Sequence, residues 1–294
     1  MKRMVVTVGM FDGVHRGHRH ILDTLCAIAR QRGGEAVVFT FDCHPRQVLR
    51  GKDAVQLLNT AEERLSLLRR YADARIVVLP FDGATAQLSA CTFFDTVIAS
   101  YGAVDTLLLG YDNAFGNKQH DDFDILKERL RQQHIALVEG APVTVADGPV
   151  SSTRIRQVLA SGAIHAANEM LGYEYTLTGR VEHGRQIGRT LGVPTANIDC
   201  MSDGKVMPAD GVYVVDAEVD GVWRRAVANL GMQPTVDGNR RTLEVHLVDT
   251  SEELYGRMLA IRFLDRIREV RRFPSLDALA QQIQRDIQYC KNYA

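Results

Sequence analysis

The chain has little that would commit it to a special environment. Its 35 basic and 36 acidic residues leave a formal net charge of −1, with no block or arm of one sign. Long-range attraction to nucleic acid or to an anionic membrane surface is therefore not expected. No apolar run approaches the length of a membrane span and no secretory signal pattern opens the chain, so the cytoplasm is the expected compartment. The five cysteines, Cys26, Cys43, Cys91, Cys200 and Cys290, are odd in number and scattered, with no CxxC pair. That argues against a disulfide framework or a thiolate zinc site and reads as reduced thiols. The nine histidines are dispersed, and no HExxH or Cys/His cluster occurs. Internal repeats and low-complexity linkers are also lacking.

What is present is a globular composition: 294 residues, 46% hydrophobic and 24% charged, enough for one large domain or two ordinary ones. In the first half, "MVVTVG", "EAVVFTF", "ARIVVLPF" and "DTLLLG" are short continuous apolar runs, as expected of strands buried on both faces of a parallel sheet. Helical patterns separate them. Ile21, Leu22, Leu25 and Ile28 recur at helical spacing, and "TAEERLSLLRRY" opens with a capping box from Thr60 to Glu63. The succession implies a doubly wound α/β domain whose ligands gather beyond the carboxyl ends of the strands. After about Gly172 the rhythm changes to short strands divided by turns, among them an Asp220-Gly221 hairpin signal. A last helical stretch, roughly 275–291, carries Leu276, Leu279, Ile283 and Ile287 on one face. A small antiparallel barrel with a terminal helix is expected there.

Three stretches carry chemistry. In "VGMFDGVHRGHRHIL" a strand ends near Gly9, a Gly-containing turn follows, and a helix starts near Gly17. The free N–H groups and dipole of that helix start make an anion site, to which His15 and His18 add donors. Ser151, Ser152, Thr153 and Arg154 open a second helical pattern, as a phosphate clamp or a plain cap would. In "GRQIGRTLGVPTAN", glycines and arginines surround Pro194-Thr195-Ala196-Asn197. That composition suits a loop over a phosphate chain or an ordinary surface turn. In "TLEVHLVD", alternation leaves Glu244 and His246 on the face opposite Leu243, Val245 and Leu247. Taken alone, such a carboxylate is a solvated strand residue. "KQHDDFD", near Asp121 and Asp122, reads as the acidic first turn of a helix.

"GMFDGVHRGH" resembles the signature of the HxGH nucleotidyltransferases, in the version found in bacterial bifunctional riboflavin kinase/FAD synthetases. "TFDCHPRQVL", "LLGYDNAFG" and "VSSTRIRQVLASG" follow in that family's order, and the likeness continues through "GRTLGVPTANI", "VANLGMQPTV" and "LEVHLVD" over essentially the whole chain. The resemblance implies a Rossmann-like FMN adenylyltransferase domain over 1–172 and a β-barrel riboflavin kinase domain over 173–294. It implies riboflavin, FMN and ATP as ligands, Mg²⁺ entering with ATP, and flavin as substrate and product, not as redox cofactor. It gives His15 and His18 the stabilisation of charge at the α-phosphate. Gly9, Phe11, Asp12, Gly17, Ser152, Thr153 and Arg154 become ATP- or phosphate-binding residues of the first site. Gly188, Arg189, Gly192 and Pro194 take that part in the second. It makes Thr195 and Asn197 the metal ligands and Glu244 the general base for the riboflavin 5′-hydroxyl. Nucleic acid and membrane are not expected partners, and the sequence carries no signal for oligomeric state.

The chain departs from the family at identifiable places. Cys43 stands where Pro is usual, Ala114 where Arg is usual, and "NKQHDD" where a basic, Gly-containing stretch follows. Gln233 replaces a common Arg and Val270 an often acidic residue. Loss of an arginine near a polyphosphate predicts adenylyl transfer slower than phosphorylation, so that FMN accumulates first. Two alternatives remain at this level: a riboflavin kinase whose first domain is weak or only binds nucleotide, and a flavin-binding regulatory protein on the same scaffold.

Overall fold

The computed structural model describes residues 2–111, 122–146, 148–182, 193–200, 204–235, 238–248 and 254–293. The chain forms two compact units, Met1–Ser152 and Thr153–Ala294.

In the first unit the four apolar runs are β1 (Met4–Val8), β2 (Glu35–Phe41), β3 (Arg75–Leu79) and β4 (Val104–Leu109), and β5 (Ala136–Glu139) adds a fifth strand. All pair in parallel, in the order β3-β2-β1-β4-β5. Alternate residues of β1 and β2 feed two cores. Met4, Val6, Val8, Val37, Phe39 and Phe41 face Phe93, Phe94, Ile98, Leu126 and Leu130. Val5, Ala36 and Val38 face Leu22, Leu25 and Ala29 of α1 (Arg16–Arg32). Each such Val, Leu, Ile, Phe or Met side chain stabilises the fold by roughly 1.5–3 kcal/mol. The expectation of strands buried on both faces holds for β1, β2 and β4 and fails for β3, which is the sheet edge and is half-exposed along most of its length. The helices α2 (Pro45–Arg50), α3 (Ala61–Tyr71), α4 (Gly83–Gln87), α5 (Ala90–Phe93) and α6 (Asp122–Gln132) complete the crossovers. The Thr60–Glu63 capping box of α3 forms in both directions. The chain order reverses between β1 and β4, and the turn after β1 emerges there, the usual ligand crevice of such a sheet.

The second unit begins with α7 (Ser152–Ser161) and α8 (Ile164–Leu171). The strands β8 (Thr176–Glu182), β9 (Ala196–Asp199), β10 (Gly211–Val219), β11 (Val222–Thr235), β12 (Gly238–Leu247) and β13 (Met258–Arg268) then close into a barrel, β10-β11-β12-β9-β8-β13. β6 (Thr144–Val145) and β7 (Gly148–Pro149) are a small hairpin in the first unit. The Asp220-Gly221 turn has φ of 52° and 76°, the paired positive values of a type I′ hairpin. One sequence reading changes: the PTAN segment is not all loop, because Ala196 and Asn197 already pair with β12 and β8. The strand is too short, and too interrupted by Pro194, to show a period in the sequence.

Burial inside the barrel alternates along β12, with Leu243, Val245 and Leu247 inside. Over its outer side lies α9 (Leu276–Asn292), capped by Ser275. Buried Asp286 holds the helix to Arg268 of β13 at 2.8 Å, Arg225 donates to the Tyr293 carbonyl at 2.8 Å, and the Cys290 thiol donates to the Ala226 carbonyl. Asp216 is buried between Arg225 and Arg262, accepting at 2.8 Å and 2.7 Å.

The compact units divide after Ser152, ahead of the boundary expected at Gly172, because α7 and α8 are bonded to the barrel. Ala209 donates its N–H to the Leu159 carbonyl, and the Asn168 amide both donates to Phe263 and accepts from Tyr175, each at 2.8 Å. A fragment starting at Ser152 is therefore expected to unfold at a higher temperature than one starting at Gly172. Asn168→Ala in the longer fragment should cost about 1–3 kcal/mol, measured by denaturant titration.

Candidate active sites

The first site is the turn from Gly9 to His15. Phe11, Gly13 and Val14 have positive φ of 53°, 86° and 34°, strained for the two that are not glycine. The strain is held by polar ties. The Asp12 carboxylate accepts the N–H groups of Leu58, at 3.0 Å and 3.2 Å, and Asn59, at 3.2 Å. The Ser152 hydroxyl donates to the Asp12 carbonyl at 2.8 Å, and Thr40 to the Met10 carbonyl at 3.3 Å. Gly9 extends the sheet by donating to Phe39 at 3.0 Å.

His15 is the N-cap of α1: its Nδ1 accepts the His18 N–H at 3.3 Å. An accepting Nδ1 puts the proton of a neutral His15 on Nε2. The two imidazoles stack with centroids 3.6 Å apart and an interplanar angle of 15°, and Phe11 meets His18 edge-on. Gly17 makes room for the stack, since a Cβ there would lie 3.2 Å from the His15 ring and 3.6 Å from the Val150 carbonyl. Phe11 and Asp12 turn their side chains into the interior, so what they contribute is the shape of the turn and not a side chain offered to phosphate. Ser152 is the first residue of α7, and exposed Thr153 and half-buried Arg154 follow in the same helical turn.

The second site lies on the barrel's outer face. Glu244 stands directly opposite Asn197 on β9 and Asn229 on β11, which puts all three side chains on one face of the sheet. Thr195, two residues before Asn197, shares it. α9 and the segment before it roof this face, leaving a cavity of about 640 Å³. Thr195, Asn229, Glu244 and His246 line its barrel side, and Phe273, Leu276, Leu279, Ile283 and Ile287 line the roof. The helical stripe of four aliphatic residues read from the sequence thus covers the carboxylate. Val270 also lines this cavity, so that departure from the family faces the site.

His246, without a role in the sequence, donates its Nδ1–H to the Pro194 carbonyl at 2.8 Å and ties the PTAN segment to the Glu244 strand. Its spacing of two from Glu244 was the available signal. Asn229 and the Arg268–Asp286 pair were missed because cross-strand register and long-range ion pairing leave no local pattern. Gly188, Arg189, Gly192, Ala114, residues 117–121 and the side chain of Gln233 lie outside the described residues.

The donor set fits Mg²⁺. Thr195 and Asn197 offer neutral hard oxygens close to one carboxylate, and among the described residues no group of three or more His, Cys, Asp or Glu forms a metal cage. Magnesium typically takes one or two protein oxygens and completes its shell with substrate phosphates and water.

A strand–turn–helix anion site followed by a carboxylate cavity on a closed barrel defines a two-site enzyme of the nucleotide-dependent transferase class. The FAD synthetase family model matches residues 1–154 and the riboflavin kinase family model residues 171–294. A curated bifunctional riboflavin kinase/FMN adenylyltransferase from Haemophilus influenzae is 34% identical, spanning 98% of this chain and 93% of its own length. Those from Pseudomonas fluorescens and Escherichia coli K12 are 38% and 36% identical, each spanning 96% of this chain and 90% of its own. A crystal structure described as a macrolide-efflux protein from Streptococcus pneumoniae superposes with a TM-score of 0.89 at 33% identity, covering 100% of this chain and 96% of that one. Efflux is said of that protein. Among the described residues of this chain no helix is long and apolar enough to cross a membrane. The chain belongs to the bifunctional riboflavin kinase/FMN adenylyltransferase family.

Burial, and secondly the neighbouring His15, hold the His18 imidazole well below its ordinary 6.5. The unfolded chain binds a proton there that the folded chain refuses, so stability is full above the unfolded value and falls as pH drops below it. Thermal unfolding followed from about pH 8 to about pH 5 should show His18→Gln losing stability less steeply than the parent protein. Parallel curves would mean that His18 is not desolvated.

Proposed function

We propose that this chain makes FMN and then FAD. The second unit transfers the γ-phosphoryl group of ATP to the riboflavin 5′-hydroxyl, giving FMN and ADP. The first joins FMN to the AMP moiety of a second ATP, giving FAD and pyrophosphate. The observation that carries the reading is Glu244, a strand carboxylate enclosed beside Thr195 in a cavity whose far wall carries Phe273 and an aliphatic stripe, with Arg271 and Arg272 beside them.

Glu244 accepts the 5′-hydroxyl proton as the oxygen attacks phosphorus, while the aliphatic and aromatic roof receives the flavin ring. Thr195 and Asn197 would hold a Mg²⁺ ion, which when bound would neutralise charge on the ATP phosphates. Gly188, Arg189, Gly192 and Pro194 belong to the loop over those phosphates. In the first unit the FMN phosphate is already ionised and needs no base. His15 offers Nε2–H, and His18, whose proton affinity burial lowers, gains an acceptor for its proton when phosphate oxygens bind. Gly9, Phe11, Asp12 and Gly17 shape the turn, and Ser152, Thr153 and Arg154 bind phosphate at the start of α7. Adenylylation is assigned to residues 1–172 and phosphorylation to 173–294.

Incubation with riboflavin and MgATP, followed by chromatographic separation of the flavins, tests the reading. FMN should appear before FAD. Glu244→Gln should lower FMN formation by about 10²–10⁴-fold and leave adenylylation of supplied FMN unchanged. FMN without FAD, even from supplied FMN, would reduce the chain to a kinase. Near-normal phosphorylation by Glu244→Gln would return that residue to a solvated strand position.

A further inference from the structure

We propose that Arg64 is a positioning residue of the adenylylation site, a buried cation against Met10, at the start of the turn that leads to His15, that favours the negative charge of a bound nucleoside triphosphate. The proposal rests on reading that turn as the ATP site.

Arg64 sits one turn into α3, and its backbone N–H donates to Thr60, the cap of that helix, at 3.0 Å. Side chains in a helix run back toward its N-terminus. Here that direction carries the guanidinium to the carboxyl ends of β2 and β1. Nη2 donates to the Phe41 carbonyl at 2.5 Å, and Nη1 lies 3.6 Å from the Met10 sulfur. The residue is 1% exposed, and among the described residues its Nε–H has no partner. Among the described residues no carboxylate is within ion-pair distance of it. Asp12 and Asp42 attract it from farther off, but the first accepts the Leu58 and Asn59 N–H groups and the second the Phe81 N–H, at 3.0 Å.

A guanidinium buried without an ion pair destabilises a fold relative to an apolar residue of the same length. A merely structural strut would not need its charge, because the two contacts it makes are to a neutral carbonyl and a thioether. The location supplies the reason. Phe41 ends β2, and Met10 is the residue immediately before the strained Phe11–Val14 segment. The charge therefore lies against the residue that enters the turn, buried where a low dielectric strengthens its field. Fixed in place by burial, it needs no reorganisation as charge develops on the α-phosphate and the leaving pyrophosphate.

The test uses the full chain with Arg64→Met, which keeps length and removes charge, and Arg64→Lys, which keeps charge but not the two-point fork. ATP kcat and KM for conversion of FMN to FAD are measured beside riboflavin phosphorylation, and thermal unfolding is followed with and without pyrophosphate. Arg64→Met should raise the ATP KM and lower kcat/KM for adenylylation by about 10–100-fold. It should also shrink the pyrophosphate-dependent rise in unfolding temperature, with phosphorylation unchanged. Arg64→Lys should recover most of the ATP kinetics. A Met variant that is less stable but has unchanged ATP kinetics and pyrophosphate response would show a strut and overturn the proposal. Should the Met variant not fold, the Lys variant decides: ATP parameters near the parent's support the charge, and a tenfold loss of kcat/KM overturns it. A parent protein that makes FAD alongside an unaffected Met variant sinks the Arg64 proposal alone. A parent that makes none and shows no pyrophosphate response sinks the reading of the site, and this proposal with it.

Discussion

The first unit depends on the carboxylate of Asp12. One buried anion gathers the N–H groups ahead of α3 while its own backbone takes the Ser152 hydroxyl, so the turn after β1, the start of α3 and Ser152 at the end of the unit share one fixed point. Without it, a chain with positive φ at Phe11 and Val14 would relax, since each such residue costs energy that its surroundings must offset. Two stacked imidazoles are then presented by an otherwise ordinary parallel sheet at the point where strand order reverses. The geometry of the site is set by hydrogen bonds to backbone, which side-chain replacement elsewhere in the sheet does not touch.

In the second unit the constraint is register. Antiparallel pairing sets Asn197, Glu244 and Asn229 side by side, and a slip of one residue would bury Glu244 inside the barrel and expose Leu243 and Val245. The apolar interior therefore fixes the position of the polar site outside it. The Arg268–Asp286 pair and the Cys290 and Arg225 contacts then hold α9 over that face, turning a solvated carboxylate into an enclosed one. Family membership and the matched models account for both halves of the chain and for the two reactions.

Much of this was legible in the sequence, for reasons that can be named. Continuous Val-rich runs between capped helices specified the parallel sheet, because strands buried on both faces leave no polar alternation. The Asp220-Gly221 turn and the alternation around Glu244 specified the hairpins. β5 was passed over, being short and only half-buried at an edge, and β9 was hidden by Pro194 and the glycines before it. Glu244 could be read as a base only by resemblance: its enclosure comes from α9, more than thirty residues away in the chain, and no local pattern encodes that. Nothing in the sequence distinguishes Arg64 from the other charged residues of its helix, because burial of a charge against Met10 and the Phe41 carbonyl is a tertiary fact. His246 was visible beside Glu244, yet its partner, the Pro194 carbonyl, was not.

A helix start normally relies on serine, threonine, aspartate or asparagine, whose capping oxygens remain acceptors across the neutral range. α1 relies on an imidazole nitrogen instead. Protonating His15 at Nδ1 would turn the acceptor of the His18 N–H into a donor facing it, two positive ends in contact. Acid would then act on this protein mechanically as well as electrically. The event that charges His15 also unfastens the first turn of the helix that carries His18, so the pair responds to a proton as one jointed part.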